Sequence, residues 1–179
     1  MVRSDALKNR EHILAIAAKA FAASSDASLN SIAKAAGIGP GTLYRHFPTR
    51  NALILALYQH EMQALVDAAA DLLARHPPMQ ALRLWFERLA VQIRAKHGAG
   101  AALEAVMDAS VVEASYLAMT GAVTSLVKAA EKAKAIRPGL DPEDLFFLMG
   151  FLWRTPPGKK GEARAKRLMD FVMTGLEPG

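Results

Sequence analysis

Residues 29–50 read LNSIAKAAGIGPGTLYRHFPTR, and this stretch decides the fold. A short apolar-patterned segment runs to Gly37, a turn of Ile38, Gly39, Pro40 and Gly41 follows, and a second short segment covers Thr42 to Phe47. That is the outline of a helix-turn-helix, whose second helix enters the major groove of DNA. Ser28 is placed to cap the first of these helices. Gly37 can take the left-handed conformation that ends it. Pro40 suits the first turn of the second, whose amide hydrogens have no intrahelical partner.

The second helix is built for contact with a duplex. Thr42, Tyr44, Arg45 and His46 supply short polar and donor side chains for base edges and phosphates. Leu43 and Phe47 lie four apart and can anchor the inner face on Ile13, Ala17, Phe21, Ile32 and Ala33. Gly39 and Gly41 keep the turn slim, so backbone amides at the helix start can approach a phosphate. Arg50 opens the following helix, in reach of the sugar-phosphate backbone.

Charge agrees with this placement. Residues 1–50 hold seven bases against three acids, a net +4, whereas the remaining 129 residues hold 15 against 14. Positive charge is concentrated where a polyanion would lie.

Outward from the motif the chain reads as all-α. Apolar residues recur at three- and four-residue spacing almost throughout, and strand signals are nearly absent. The expected helices cover about 5–23, 29–36, 40–47, 50–75, 79–96, 101–109, 113–135, 142–154 and 161–176, about nine in total. His76-Pro77-Pro78, Arg137-Pro138-Gly139 and Thr155-Pro156-Pro157-Gly158 are the clearest later breaks. The expected organisation is a DNA-binding domain at 1–48 and a larger helical domain at 49–179.

The run IAKAAGIGPGTLYRHFPTRNALI closely resembles the DNA-binding domain of the TetR family of bacterial transcriptional regulators, over roughly residues 8–57. The glycine, the TLYxHF core and the base after it occur together at family spacing. The resemblance implies a three-helix N-terminal domain, a C-terminal ligand-binding and dimerisation domain, and a homodimer on a double-stranded operator. By position, Thr42, Tyr44 and His46 match family residues that touch DNA. Gly39, Pro40 and Gly41 match turn positions that often add contacts, Asn30 a position that sometimes reads a base, and Arg50 a phosphate-contacting lysine. Three departures matter. Gly39 replaces a frequent side-chain cap, Pro40 offers neither amide hydrogen nor long side chain, and Arg50 keeps the charge but changes its geometry.

Beyond residue 60 the readings are weaker. Trp85, Phe86, Met107, Tyr116, Met119, Phe147 and Trp153 are candidates to line an apolar pocket for a small-molecule inducer. His97, Glu104, Asp108, Glu113 and Arg154 are polar groups that could orient such a ligand. Residues 142–154 are apolar nearly all round, and the last helix carries a second apolar stripe, so both need cover. Leu145, Phe146, Met149, Leu152, Leu168, Phe171 and Val172 are the candidate dimer interface, and the resemblance implies pairing as a four-helix bundle. Gly150 would mark a close helix crossing.

Other functions find little support. The five histidines are scattered without metal-ligand spacing, so no metal site is expected. No phosphate loop or nucleophile motif appears, so neither an enzyme nor a cofactor is expected. There is no cysteine, which excludes disulfides and thiolate zinc sites and fits a reducing cytoplasm. The first residues form no apolar run of signal-peptide type, and no uninterrupted run of 18 apolar residues suggests a membrane span. The expected function is a cytoplasmic, sequence-specific repressor released from its operator by a small molecule. The alternative is a DNA-binding regulator without an inducer, controlled by a protein partner.

Overall fold

A computed structural model describes residues 2–24, 26–96, 103 and 106–178. Among these the secondary structure is helical: α1 (Val2–Ala23), α2 (Leu29–Ala35), α3 (Pro40–His46), α4 (Arg50–Arg75), α5 (Pro78–Lys96), α6 (Ala109–Lys132), α7 (Pro142–Leu148), α8 (Phe151–Arg154) and α9 (Lys159–Leu176). Of the helix expected at 101–109, residues 101, 102, 104 and 105 (Glu104 among them) lie outside the described residues, as does His97, and 106–108 are not helical.

The chain forms two compact units, Met1–Glu61 with Ala95–Val112, and Met62–Arg94 with Glu113–Gly179. The first unit thus runs past the expected boundary at 48/49 and takes in a later segment. The cause is the apolar face of α4, whose first half carries Leu53, Ile54 and Ala56 into the same core as Ile13, Ala17, Phe21, Ile32, Leu43 and Phe47. Leu103 and Val106 pack against that core from a distant part of the chain.

The second unit closes around α5. Trp85 and Phe86 are fully buried and meet edge to face, with centroids 5.2 Å apart. Burying an indole N–H without a partner is costly; here Trp85 Nε1 donates to the Leu65 carbonyl of α4 at 2.8 Å. Leu126, Val127, Leu145, Phe146, Met169 and Leu176 complete this core. Around it, Arg83 on α5 bridges Glu87 at 3.1 Å and Asp170 of α9, and Arg94 faces Glu162 at 3.6 Å. The Arg83 guanidinium is held still more firmly protonated than usual, chiefly by the Asp170 hydrogen bond.

Two helical segments depart from expectation in ways their local bonds explain. α6 begins at Ala109 rather than Glu113, because the Asp108 carboxylate accepts from Val111 N at 2.9 Å and from Ser110 Oγ at 2.6 Å. Those bonds, Ser110 first, lower the Asp108 pKa. The single helix expected at 142–154 is two, joined by a tighter turn in which Gly150 N bonds Phe147 O and Leu152 N bonds Met149 O. A Cβ on Gly150 would lie 2.8 Å from the Phe147 carbonyl oxygen, so the glycine serves this turn rather than a helix crossing.

α6 meets the length and composition needed to cross a bilayer, with a mean hydropathy of 1.3 over an 18-residue window. It buries Met119, Ala122, Val123, Leu126, Val127 and Ala130 within the protein, while 28% of that window as a whole is buried.

Candidate nucleic-acid interface

Local chemistry places α3. Ser28 caps α2, its hydroxyl accepting from Ser31 N at 3.1 Å. The other end closes as a Schellman motif: Ile38 N bonds Ala33 O at 3.0 Å and Gly37 N bonds Lys34 O at 3.2 Å. This requires a left-handed residue, and Gly37 sits at φ 67°. The chain then re-enters a helix at Pro40, with Gly39 at the cap and no side-chain cap bond, as the loss of a serine or acid there implied.

Leu43 and Phe47 are buried at 0% and 1% exposure, which fixes which way α3 faces. One turn of helix separates them, so the opposite face must point to solvent. On that face Gly41, Tyr44 and Arg45 are exposed, with Thr42 and His46 half-buried at its edges. Tyr44 keeps 44% of its surface. Gly39, Pro40 and Asn30 are exposed as well. Arg45 Nη2 donates to Thr42 Oγ1 at 3.1 Å, joining two of these side chains.

Arg50, expected in reach of the sugar-phosphate backbone, also makes contacts within the fold. Its guanidinium lies over the Phe21 ring, 5.2 Å from the centroid, and Nε donates to the Ala27 carbonyl at 3.4 Å. It thus ties the start of α4 to the α1–α2 loop and the first core. Sequence reasoning missed Arg10, which stacks 4.7 Å over the Phe47 ring. The available signal was its place on α1, three residues before the buried Ile13. His12 adds a contact to the Ala36 carbonyl at 3.2 Å.

Three comparisons with known proteins bear on this arrangement. Residues 13–57 match the family model of bacterial regulatory proteins of the tetR family, and residues 77–178 match that of the SbtR-like transcriptional regulator C-terminal domain. The chain belongs to the TetR family. A TetR transcriptional regulator from Streptomyces coelicolor is 39% identical, with 94% of this chain and 98% of that one covered at a TM-score of 0.79. A TetR protein from Mycobacterium vanbaalenii is 29% identical over 99% and 100% of the two chains, with a TM-score of 0.82. An HTH-type transcriptional regulator of Staphylococcus aureus is 40% identical over 67 residues, and the match spans only 36% of either chain. The family and these relatives are transcriptional regulators, not enzymes.

Within this TetR protein the residues expected to line a ligand pocket have different settings. Trp85, Phe86 and Met119 are packed into the core of the second unit at 0%, 0% and 7% exposure. Phe147 is exposed at 82% and Trp153 at 44%, so neither lines an interior. Met107 belongs to the first unit. Tyr116 donates to Glu143 at 3.0 Å, and that bond holds its phenol above the ordinary tyrosine pKa. Glu113 and Arg154 are exposed. The second unit also holds an open groove of about 680 Å³ along α4 and α5, lined among others by Leu65, Ala68, Leu72, Leu84, His76 and Arg88. None of the seven expected residues lines it. Leu84 and Arg88 share one face of α5 at four-residue spacing, while Trp85 and Phe86 turn inward on the other.

The dimer assignments divide by the same geometry. Leu145, Phe146, Met149 and Leu152 are buried within one protomer at 0–4% exposure and have no surface to offer a second. The break at Gly150 lets both short helices turn these residues inward. Phe171 is exposed and Leu168 and Val172 are half-buried, on the outer side of α9. Phe147, Leu148 and Trp153, absent from the expected interface, are exposed on α7 and α8.

Proposed function

We propose that this protein is a homodimeric transcriptional repressor that reads a twofold-symmetric double-stranded DNA operator with α3 and is released by a small molecule. The observation that carries the reading is the row of exposed Tyr44 and Arg45 flanked by half-buried Thr42 and His46 on a helix anchored by Leu43 and Phe47. The net +4 of the first 50 residues supports it, since phosphate neutralisation supplies much of the affinity for DNA. The exposed Phe147, Leu148 and Phe171 support pairing of two copies through α7 and α9, because apolar rings of this size are ordinarily covered. In a twofold dimer the two α3 helices would read half-sites about one helical turn apart. An inducer would act only through different affinities for the DNA-competent and incompetent arrangements. The groove along α4 and α5 supports a ligand, and the solid packing at Trp85, Phe86 and Met119 favours the second reading, a regulator without an inducer.

The test is genomic footprinting of the full chain, followed by titration of the recovered duplex by gel shift and of its release by metabolite mixtures. A palindromic footprint upstream of genes whose expression rises on deletion supports the proposal. Random genomic occupancy refutes it.

A further inference from the structure

The outward face of α3 does not offer its side chains evenly. Gly41 and Arg45 stand four residues apart, so they lie one above the other at the middle of the face opposite Leu43 and Phe47. Gly41 has no side chain, and nothing lies within 4 Å of where a Cβ would be. Pro40 brings no donor. The centre of the reading face is therefore a gap with one long side chain beside it. That side chain is partly ordered already, because Thr42 Oγ1 accepts from Arg45 Nη2 at 3.1 Å. No ion pair among the described residues involves Arg45.

Resting on the proposal that α3 enters the major groove, we infer that Arg45, steered by Thr42, reads a guanine in each half-site. An arginine presents five donors and no acceptor, and the Thr42 bond leaves four of them free. In the major groove only guanine shows two adjacent acceptors, N7 and O6; adenine pairs an acceptor with an amino donor that a guanidinium repels, and cytosine shows a donor. The Thr42 bond restricts the rotation of a side chain that otherwise carries much conformational freedom, so less is lost when the fork closes on the base. Thr42 is then a positioning residue as well as a contact. The missing side chain at Gly41 lets the base edge come up to the helix.

The experiment selects binding sequences from random duplexes with the full-length protein, then titrates the selected duplex against versions carrying each other base pair at the inferred position. The expected wild-type result is a palindrome with an invariant G·C in each half-site, and a loss of about 5- to 150-fold on replacing one with A·T. Arg45→Ala binds the G·C and A·T duplexes equally, while its affinity for unrelated DNA falls only slightly. Thr42→Val keeps the guanine but narrows the G·C over A·T ratio, and that narrowing exceeds any fall in its affinity for unrelated DNA. Retained discrimination in Arg45→Ala overturns the inference, as does a loss of the same factor on every sequence, which marks a phosphate contact. Enrichment of no sequence by the wild type overturns the parent proposal instead. Both substitutions lie on an exposed or half-buried surface, and an unchanged circular dichroism spectrum confirms that the variants fold.

Discussion

Replacing Phe171 with glutamate is expected to split the dimer without unfolding the protomer. Phe171 is 73% exposed in a single chain, on the outer side of α9 beside the half-buried Leu168 and Val172. Burying most of a phenylalanine side chain against a partner is worth about 2 kcal/mol. A twofold interface uses the same patch twice, so one substitution removes the ring from both copies and costs about 4 kcal/mol per dimer. At 1.4 kcal/mol per decade, the dissociation constant rises about a thousandfold. The paired carboxylates add repulsion to that figure. The protomer itself loses almost nothing, because surface substitutions ordinarily change stability by less than about 0.5 kcal/mol. Sedimentation velocity across a concentration series measures the first quantity and thermal melting of the dilute variant the second. Operator affinity should fall with the dimer, since a lone protomer reaches one half-site. A variant that sediments as an undisturbed dimer at low micromolar concentration would refute the assignment of α9 to the interface.

Three further substitutions probe other parts of the reasoning. Tyr44→Ala should weaken operator binding at least tenfold in a gel-shift titration while helicity and dimerisation hold; unchanged affinity counts against α3 as the reading helix. Gly37→Ala should cost about 1 kcal/mol, because a Cβ at φ 67° is strained even with open space around it, and calorimetry should show a lower melting temperature. The Tyr116 phenol should titrate above the ordinary tyrosine value, followed by carbon-13 chemical shifts of labelled rings, and Glu143→Ala should bring it back down. The sign is set by linkage: the folded state holds that proton more tightly, so the contribution to stability is complete below the unfolded pKa and is lost as pH rises through the folded one. An unmoved midpoint in Glu143→Ala would show that the hydrogen bond to Glu143 is not its cause.

The reading helix was legible because its signals are local. Ser28, Gly37, Pro40 and the Leu43–Phe47 pair each act within a turn or two of chain, and each does in the structure what its own chemistry dictates. The role of Arg50 was not, because its partners Phe21 and Ala27 are brought to it only by the folded core. Periodicity identified the apolar residues of 142–154 but not their directions. A helix apolar on every side has no preferred face, and one tightened turn at Gly150 was enough to send Leu145, Phe146, Met149 and Leu152 inward and leave Phe147 and Leu148 out.

The same reasoning explains why composition does not locate a pocket. Large aromatics fill cores and line pockets for the same reason, the apolar area they remove from water, so composition cannot separate the two uses. Trp85 and Phe86 went to the core of the second unit, where the Leu65 carbonyl satisfies the indole. The groove along α4 and α5 is instead open where the facing residues are small: Ala64 and Ala68 on α4 stand where larger side chains would close it. A cavity in a helical protein is a matter of which positions carry too little volume, so small side chains such as these, more than tryptophans, mark where a groove stays open.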